Sequence, residues 1–409
     1  MKPEAGHPRI FVSVAEQSAD EHAASLLRAL REFHPSASFH GLAGPALQRE
    51  GATCFFDMTA RSAMAHAAFY RIPEVLGLLG RLKRFIREGG FHAALMVDSP
   101  ALNLPIAKIC RRNNIPVMYY IAPQTWAWGP RNWRNNRVRR RVNRLACLWK
   151  FEEPYFQAAG IQAKYVGHPT FDRLAASDIS DVRIAQLRGS ATTVLTLLPG
   201  SRKHVVEEVL PGQLEIASAL RGRFSRMNIV IVAANEDTRT MIQQCISNPR
   251  QRIDATIVTG EHDRAAAIRA ADLCLAASGT VTLEVAYWGT PMIVMYQTPK
   301  WRYLLVGRWL IHTPYLSLPN ILAGREIVPE FMPYYDSTGP IIARAFEWLS
   351  NLNTLARVRG ELQEMIKGVS KPNAARNAAM ELAQLLSESQ AGVARRRGPG
   401  SEHGPGTVE

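Results

Sequence analysis

Short runs of consecutive apolar residues recur along this chain, and each is followed by a longer segment with helical periodicity. Strands are expected at 10–14, 38–42, 93–97, 116–121, 145–149 and 163–166. A second series falls at 193–198, 228–232, 254–259, 272–276 and 291–296. Helix-period segments separate them, for example at 20–33, 74–88, 103–113, 204–221 and 263–271. A strand that is apolar at every residue, not every second one, must be buried on both faces. Only a parallel sheet with helices on both sides buries strands in that way. The pattern therefore predicts an α/β chain of two doubly wound, Rossmann-like domains facing a cleft, with helices at the C-terminus.

The chain has 409 residues, which is too long for one core and suits two. The polar stretch 167–190 separates the two strand series and marks the expected boundary. The expected units are 1–172, 173–340, a group of C-terminal helices over 341–387, and a disordered tail over 388–409, where Arg395–Arg397 precede repeated Gly and Pro. The five cysteines are scattered, with no CxxC pair, as in a reducing compartment. Ile10–Val14 is too short for a signal-peptide core, and no stretch reaches the ~18 apolar residues of a membrane span. The expectation is a soluble or peripheral, cytoplasmic protein. The formal net charge of +14 favours anionic partners without choosing among them.

Four strings carry candidate chemistry. In VAEQSADEH, Ser18 and Glu21 have capping-box spacing, so a helix should start there, and Glu16 falls in the strand-to-helix turn. Glu16 either binds a ligand or is merely solvated. In LMVDSPALN, Asp98 ends an apolar strand, where open α/β sheets bind ligands, and partial burial would make it a better base. The alternative is a polar strand cap. Asn103 either binds a sugar hydroxyl or caps the next helix. In TVLTLLPGSRKHVVEE, Gly200 allows close backbone approach, Ser201 is placed to cap a helix, and Arg202 offers a fork of donors to phosphate. It is neither a Walker loop nor a GxGxxG fingerprint. In DLCLAASGTVTLEVAYWGTPMIV, Ser278, Gly279 and Thr280 form a second helix start, and Glu284 one turn later is placed for the two hydroxyls of a ribose. No HExxH or facial-triad spacing points to a metal, and His262 beside Asp263 does not make one.

Two stretches have the composition of a membrane surface contact. In 74–88, Val75, Leu76, Leu78, Leu79, Leu82, Phe85 and Ile86 form an apolar face opposite Arg81, Lys83, Arg84 and Arg87, a pattern shared by interfacial and buried helices. Between Arg131 and Lys150 there are seven Arg and one Lys with no acid, interleaved or preceded by Trp126, Trp128 and Trp133. That run suits anionic lipid, an RNA backbone or plain solvation.

The strings LLPGSR, ASGTVTLE, YIAPQTWAW, VGHPTFD and SLPNILAGRE, in register from about Phe11 to the helices near 386, resemble the bacterial lipid-A-disaccharide synthase family. The resemblance implies the GT-B fold of nucleotide-sugar transferases. It implies inverting transfer of 2,3-diacylglucosamine from a UDP donor to a lipid monosaccharide acceptor, 2,3-diacylglucosamine 1-phosphate, without metal or organic cofactor. It further implies a peripheral position on an anionic membrane, at the cytoplasmic face of the inner membrane. An oligomer is allowed and no nucleic-acid partner is expected. Residue by residue, Glu16, Ser18 and Asp20 match the N-terminal loop of the family, and Asp98 and Asn103 its acidic strand end. Arg202, Ser278, Gly279, Thr280, Glu284 and Asn320 match its nucleotide-facing positions. Asp98 is the leading base, Glu16 the alternative, and Arg202 stabilises the leaving group. Three departures lie in the N-terminal half: Ala15 and Ala19 replace glycines, Ala101 replaces a second acid, and the turn between Met64 and Glu74 is longer. They leave open a related UDP-sugar transferase or epimerase with another acceptor, or a non-catalytic lipid- or nucleotide-binding paralogue.

Overall fold

The computed structural model describes residues 7–59, 72–127, 129–247, 253–298 and 313–396. The chain divides into two compact units. The first takes residues up to Trp126, then 130–169, and the chain from Lys371 onward; the second takes 170–370 with 127–129.

In the first unit the strands are β1 (Arg9–Ser13), β2 (Ser38–Leu42), β3 (Thr53–Phe56), β4 (Ala93–Val97), β5 (Val117–Tyr120), β6 (Arg144–Cys147) and β7 (Ala163–Tyr165). They form one parallel sheet in the order β3-β2-β1-β4-β5-β6-β7. β4 and β5 are buried at every residue, as their unbroken apolar sequences require, and β6 is buried throughout although it opens on Arg144. In the second unit, β8 (Thr193–Leu198), β9 (Met227–Ala233), β10 (Thr256–Thr259), β11 (Leu273–Ala277), β12 (Met292–Met295) and β13 (Glu330–Phe331) form a parallel sheet ordered β10-β9-β8-β11-β12-β13. Each sheet runs outward from its first strand in one direction and then reverses. The two reversals, β1/β4 and β8/β11, are topological switch points, where such sheets open to ligands. The expected doubly wound architecture is present in both units.

Two edge strands escaped the sequence pattern. β3 is only partly buried and β13 spans two residues, so neither has the long apolar run that marked the others.

The C-terminal helices do not form the single group expected over 341–387. Gly339–Leu349 and Leu352–Val369 stay with the second unit, whereas Ala374–Arg396 returns to the first and packs on the helix Gln17–Leu30. The expected disordered tail is corrected too, because 388–396 continues that last helix. Contacts with the first unit reach into this extension: the buried Arg144 guanidinium donates to Glu381 at 2.7 Å and to Glu388 at 2.6 Å, and Ser389 Oγ reaches the His92 carbonyl. Residues 397–409 lie outside the described residues. The VGHPTFD string marks where the chain leaves the first unit. Gly167 has φ +99°, and a Cβ there would lie 2.4 Å from the Lys371 carbonyl oxygen. The bare α-carbon lets the returning segment pass, and Lys371 Nζ and Asn377 Nδ2 then bind the Tyr165 and Val166 carbonyls.

The apolar face expected to meet a membrane in 74–88 belongs, at its C-terminal end, to the core. In the helix Ile72–Glu88, Leu82 is 2% exposed and Ile86 is equally enclosed, both packed in the cluster that holds Phe11, Leu42 and Phe91. Phe85 stacks on Phe55 at 4.6 Å. Arg81, Lys83, Arg84 and Arg87 are exposed. The side chains of Val75, Leu76, Leu78 and Leu79 lie outside the described residues. Leu82→Ser should therefore lower unfolding stability by about 2–5 kcal/mol, the cost of emptying a buried leucine site, while Arg84→Ser shifts it by no more than about 0.5 kcal/mol. Urea titration of both variants checks this; equal midpoints would place Leu82 outside the core.

Candidate active site

At the first switch point β1 and β4 separate, and a buried amide spans the gap. Asn103, with 0% exposure, accepts the Ser13 hydroxyl at 2.6 Å and donates to the carbonyls of Val97 at 2.9 Å and Asp98 at 2.7 Å. All its polar atoms are occupied internally, so it braces the site and is not a direct substrate ligand. That corrects the expected binding role.

Asp98 is shaped by its backbone. Asp98 and Ser99 take φ of 51° and 45°, a left-handed region that costs a non-glycine residue on the order of 1–3 kcal/mol. Hydrogen bonds hold the turn against that cost. The Asp98 amide donates to the Tyr120 carbonyl at 3.0 Å, and its own carbonyl accepts from Tyr119 Oη at 2.5 Å and from Asn103. Pro100 then opens the helix Pro100–Arg112. Burial pushes the Asp98 carboxyl above its ordinary pKa, against a hydrogen bond from the Ser99 amide, and the charge of Glu16 adds to the rise.

Glu16 is exposed at the N-cap of the helix Gln17–Leu30, with extended backbone and no side-chain cap bond. The expected capping box does not form. Ser18 lies inside the first turn and is exposed, and Glu21 accepts from Gln17. Asp20 is turned away from the site. Its buried carboxylate accepts the amides of Gly44, Ala46 and Leu47 at 2.9, 2.7 and 3.3 Å, capping the helix Pro45–Arg49. At 1% exposure, with its oxygens spent on the start of a neighbouring helix, Asp20 is a structural cap, which corrects its placement among the substrate ligands.

The first unit also shows that a raised pKa is not by itself a mark of function. Glu152 is pushed up to about 7, chiefly by burial and despite its hydrogen bonds. Yet Trp126 Nε1 and the amides of Leu148 and Trp149 occupy its two oxygens.

At the second switch point the turns after β8 and β11 line one cavity of ≈ 410 Å³. It brings together Gly200, Ser201 and Arg202 from one turn with Ser278, Gly279 and Thr280 from the other, and Glu284 beside them. Gly200 has φ +109°, and a Cβ there would come within 2.8 Å of Val205, so both conformation and space call for glycine. The N-cap of the helix Lys203–Arg221 is Arg202, not Ser201, and no side chain caps it. Arg202 is exposed, and its guanidinium makes no hydrogen bond or ion pair among the described residues, while its carbonyl accepts the amides of Val205 and Val206. Thr280 is the N-cap of the helix Val281–Tyr287.

Glu284 reaches this cavity from the first turn of that helix, gripped by two arginines absent from the sequence expectations. Arg264 Nε donates to Oε2 at 2.7 Å and Arg173 Nη2 to Oε1 at 2.6 Å. Neither arginine sits in a motif, and no local signal could have found them. Asn320, expected to face the nucleotide, is instead fully buried. Its Oδ1 accepts the amides of Ile327 and Val328 and its Nδ2 donates to Val328 O and Glu330, so SLPNILAGRE is a loop brace. Among the described residues no cluster of three or more His, Cys, Asp or Glu is arranged for a metal ion. Asp263, beside His262, is taken by Arg183 at 2.8 Å.

The folds of several solved structures match this one across nearly its full length. S. aureus MnaA bound to UDP superposes with a TM-score of 0.61 at 11% identity, covering 94% of this chain and 97% of that one. A putative UDP-N-acetylglucosamine 2-epimerase from Listeria monocytogenes gives 0.59 at 14% identity, covering 96% and 98%. A UDP-glucosyltransferase from Polygonum tinctorium gives 0.57 at 12%, covering 94% and 100%. At these identities the likeness establishes the fold alone. Sequence comparison goes further. The lipid-A-disaccharide synthase of Syntrophus aciditrophicus (strain SB) is 32% identical over 383 residues, 93% of this chain and 98% of its own length. That of Solibacter usitatus (strain Ellin6076) is 34% identical over 341 residues, 82% and 86% of the two. The family model described as lipid-A-disaccharide synthetase matches residues 10–384. With coverage of that extent, the chain belongs to the lipid-A-disaccharide synthetase family.

Proposed function

We propose that this chain transfers 2,3-diacylglucosamine from UDP to 2,3-diacylglucosamine 1-phosphate, inverting the anomeric carbon and releasing UDP. The family is one of glycosyltransferases in lipid A synthesis. The observation that carries the residue assignments is Arg202, an exposed guanidinium with no side-chain hydrogen bond or ion pair among the described residues, on a cavity wall shared by two strand-to-helix turns. Such a wall suits a diphosphate. The acceptor hydroxyl oxygen bonds to the anomeric carbon while the bond from that carbon to the diphosphate oxygen breaks. The departing electron pair becomes charge on UDP, which Arg202 and the free amides at the start of the helix Lys203–Arg221 stabilise. The hydroxyl proton goes to Asp98, whose raised pKa makes it the stronger base, and Glu16 orients the acceptor. Gly200, Ser201, Ser278, Gly279 and Thr280 shape the donor cavity, and Glu284 holds the ribose.

UDP release should require the lipid acceptor, and Arg202→Ala should lower it by about 10²-fold or more, as for loss of a preorganised donor. Release with an epimerised sugar and no acceptor would instead make the chain an epimerase.

Asp98→Asn should keep UDP affinity and lose about 10²-fold in kcat. It should also gain stability. Because burial raises the folded pKa of Asp98, its stabilising contribution is complete below the unfolded value and lost as pH rises through the raised one. Asparagine stays neutral, so the variant should melt above wild type at about pH 8, with the gap closing towards about pH 4. A gap that widens as pH falls would contradict the burial argument.

Both substrates carry acyl chains, and we place their delivery at the anionic cytoplasmic face of the inner membrane. No helix among the described residues is long and apolar enough to cross a membrane. The helix Arg131–Arg139 supports surface contact. Trp133 is 57% exposed, with the Arg137 guanidinium 4.6 Å over its ring, and Arg131 and Arg139 are exposed as well. Arg144 is excluded from that surface by its own burial and its ion pairs with Glu381 and Glu388. Flotation with vesicles rich in phosphatidylglycerol should weaken as salt rises, and further in Trp133→Ala, whose melting point should be unchanged. Undiminished flotation of the variant at every salt concentration would remove this helix from the contact.

A further inference from the structure

Glu284 sits on the cavity wall, yet its side chain is only 9% exposed. A carboxylate so enclosed stays charged and in place only with partners. Arg264 supplies a fork: Nε to Oε2 at 2.7 Å and Nη2 to Oε1 at 3.4 Å. Arg173 adds Nη2 to Oε1 at 2.6 Å and is itself anchored by Glu261. A carboxylate accepts about four hydrogen bonds, two at each oxygen. Oε1 therefore has both places filled, and Oε2 keeps one. Arg264, which also lines the cavity, sets the plane of the carboxylate and hence the direction of that remaining lone pair.

We propose that Arg264 is a positioning residue for the donor: it fixes Glu284 so that Oε2 accepts one ribose hydroxyl of a nucleoside diphosphate. This rests on the reading of Glu284 as the ribose-binding residue. Arg173 completes the grip from the opposite oxygen, so Arg264 alone controls the oxygen that meets the ligand. A hydroxyl donating to a fixed carboxylate is worth about ten- to hundredfold in affinity, and most of that is lost when the acceptor can swing.

Calorimetric titration with UDP and with 2′,3′-dideoxy-UDP tests the proposal. Wild type should prefer UDP by about tenfold or more. Arg264→Ala should lose most of that preference while its affinity for dideoxy-UDP stays within about twofold, and Arg264→Lys should restore part of it. Kinetically, Arg264→Ala should raise KM for the donor and leave kcat at saturating donor within about threefold. Full preference in Arg264→Ala alongside its loss in Glu284→Gln would overturn the positioning role. Equal losses for both ligands in Arg264→Ala would also overturn it, by assigning Arg264 to the diphosphate. If Glu284→Gln keeps the preference, the ribose reading of Glu284 fails instead. Should Arg264→Ala not fold, Arg264→Lys decides alone: a reduced preference with unchanged melting supports the role, and an undiminished one overturns it.

Discussion

In each sheet the two central strands send their helices to opposite faces, so their carboxyl ends must part, leaving backbone carbonyls without a neighbouring strand. A buried primary amide answers that problem in both units. Asn103 ties Val97 and Asp98 to Ser13 in the first, and Gln213 donates to Leu275 at 2.9 Å, with Leu198 at 3.5 Å, in the second. Unpaired carbonyls at such a depth would cost on the order of 1–3 kcal/mol each. The amides remove that cost and fix how far the strands open. Everything assigned to substrate chemistry is built on those two openings.

The openings are furnished differently. Around Asp98 the backbone itself is strained, and Tyr119, Tyr120 and Asn103 hold it there, presenting an acid whose charge is disfavoured by burial. Around Gly200 the device is a glycine, and the charge presented is the cation of Arg202. Under the proposed function, the first opening would take up a proton and the second offset negative charge, the two electrostatic demands of transfer from a nucleotide. Ala15 and Ala19, where the resemblance leads one to expect glycine, bear on the first. Ala19 is buried in the first turn of its helix, and alanine favours helix where glycine opposes it, so Glu16 is carried on a stiffer start than a glycine-rich loop would give.

Polar residues within one family string divide into two kinds. Asp20, Asn103 and Asn320 are all buried and bonded internally, each holding backbone groups of a neighbouring loop or strand end. Glu16, Ser201, Arg202 and Thr280 are exposed around the openings. Both kinds stand in or beside the strings on which the resemblance rests, because a loop that presents a ligand-binding group must also be held in shape. Resemblance alone does not separate the group that binds from the group that braces.

The sequence by itself determined the two sheets, the strand-to-helix turns at Asp98 and Gly200, and a change of unit within 167–190. Continuous apolar runs report burial on two faces, and glycine, proline and acid at a strand end report a backbone obliged to turn. It could not determine what covers an apolar face or satisfies a polar group, since both are settled by residues distant along the chain. Leu82 meets Phe11 and Phe91 and not lipid; β3 and β13 are too short and exposed to carry a period. The last helix runs past 387 where Glu388 pairs with buried Arg144, a residue 244 positions earlier in the chain. Glu284 was legible as a carboxylate at a helix start, but Arg173 and Arg264 were not, because only the folded second unit brings residues 111 and 20 positions away onto its two oxygens.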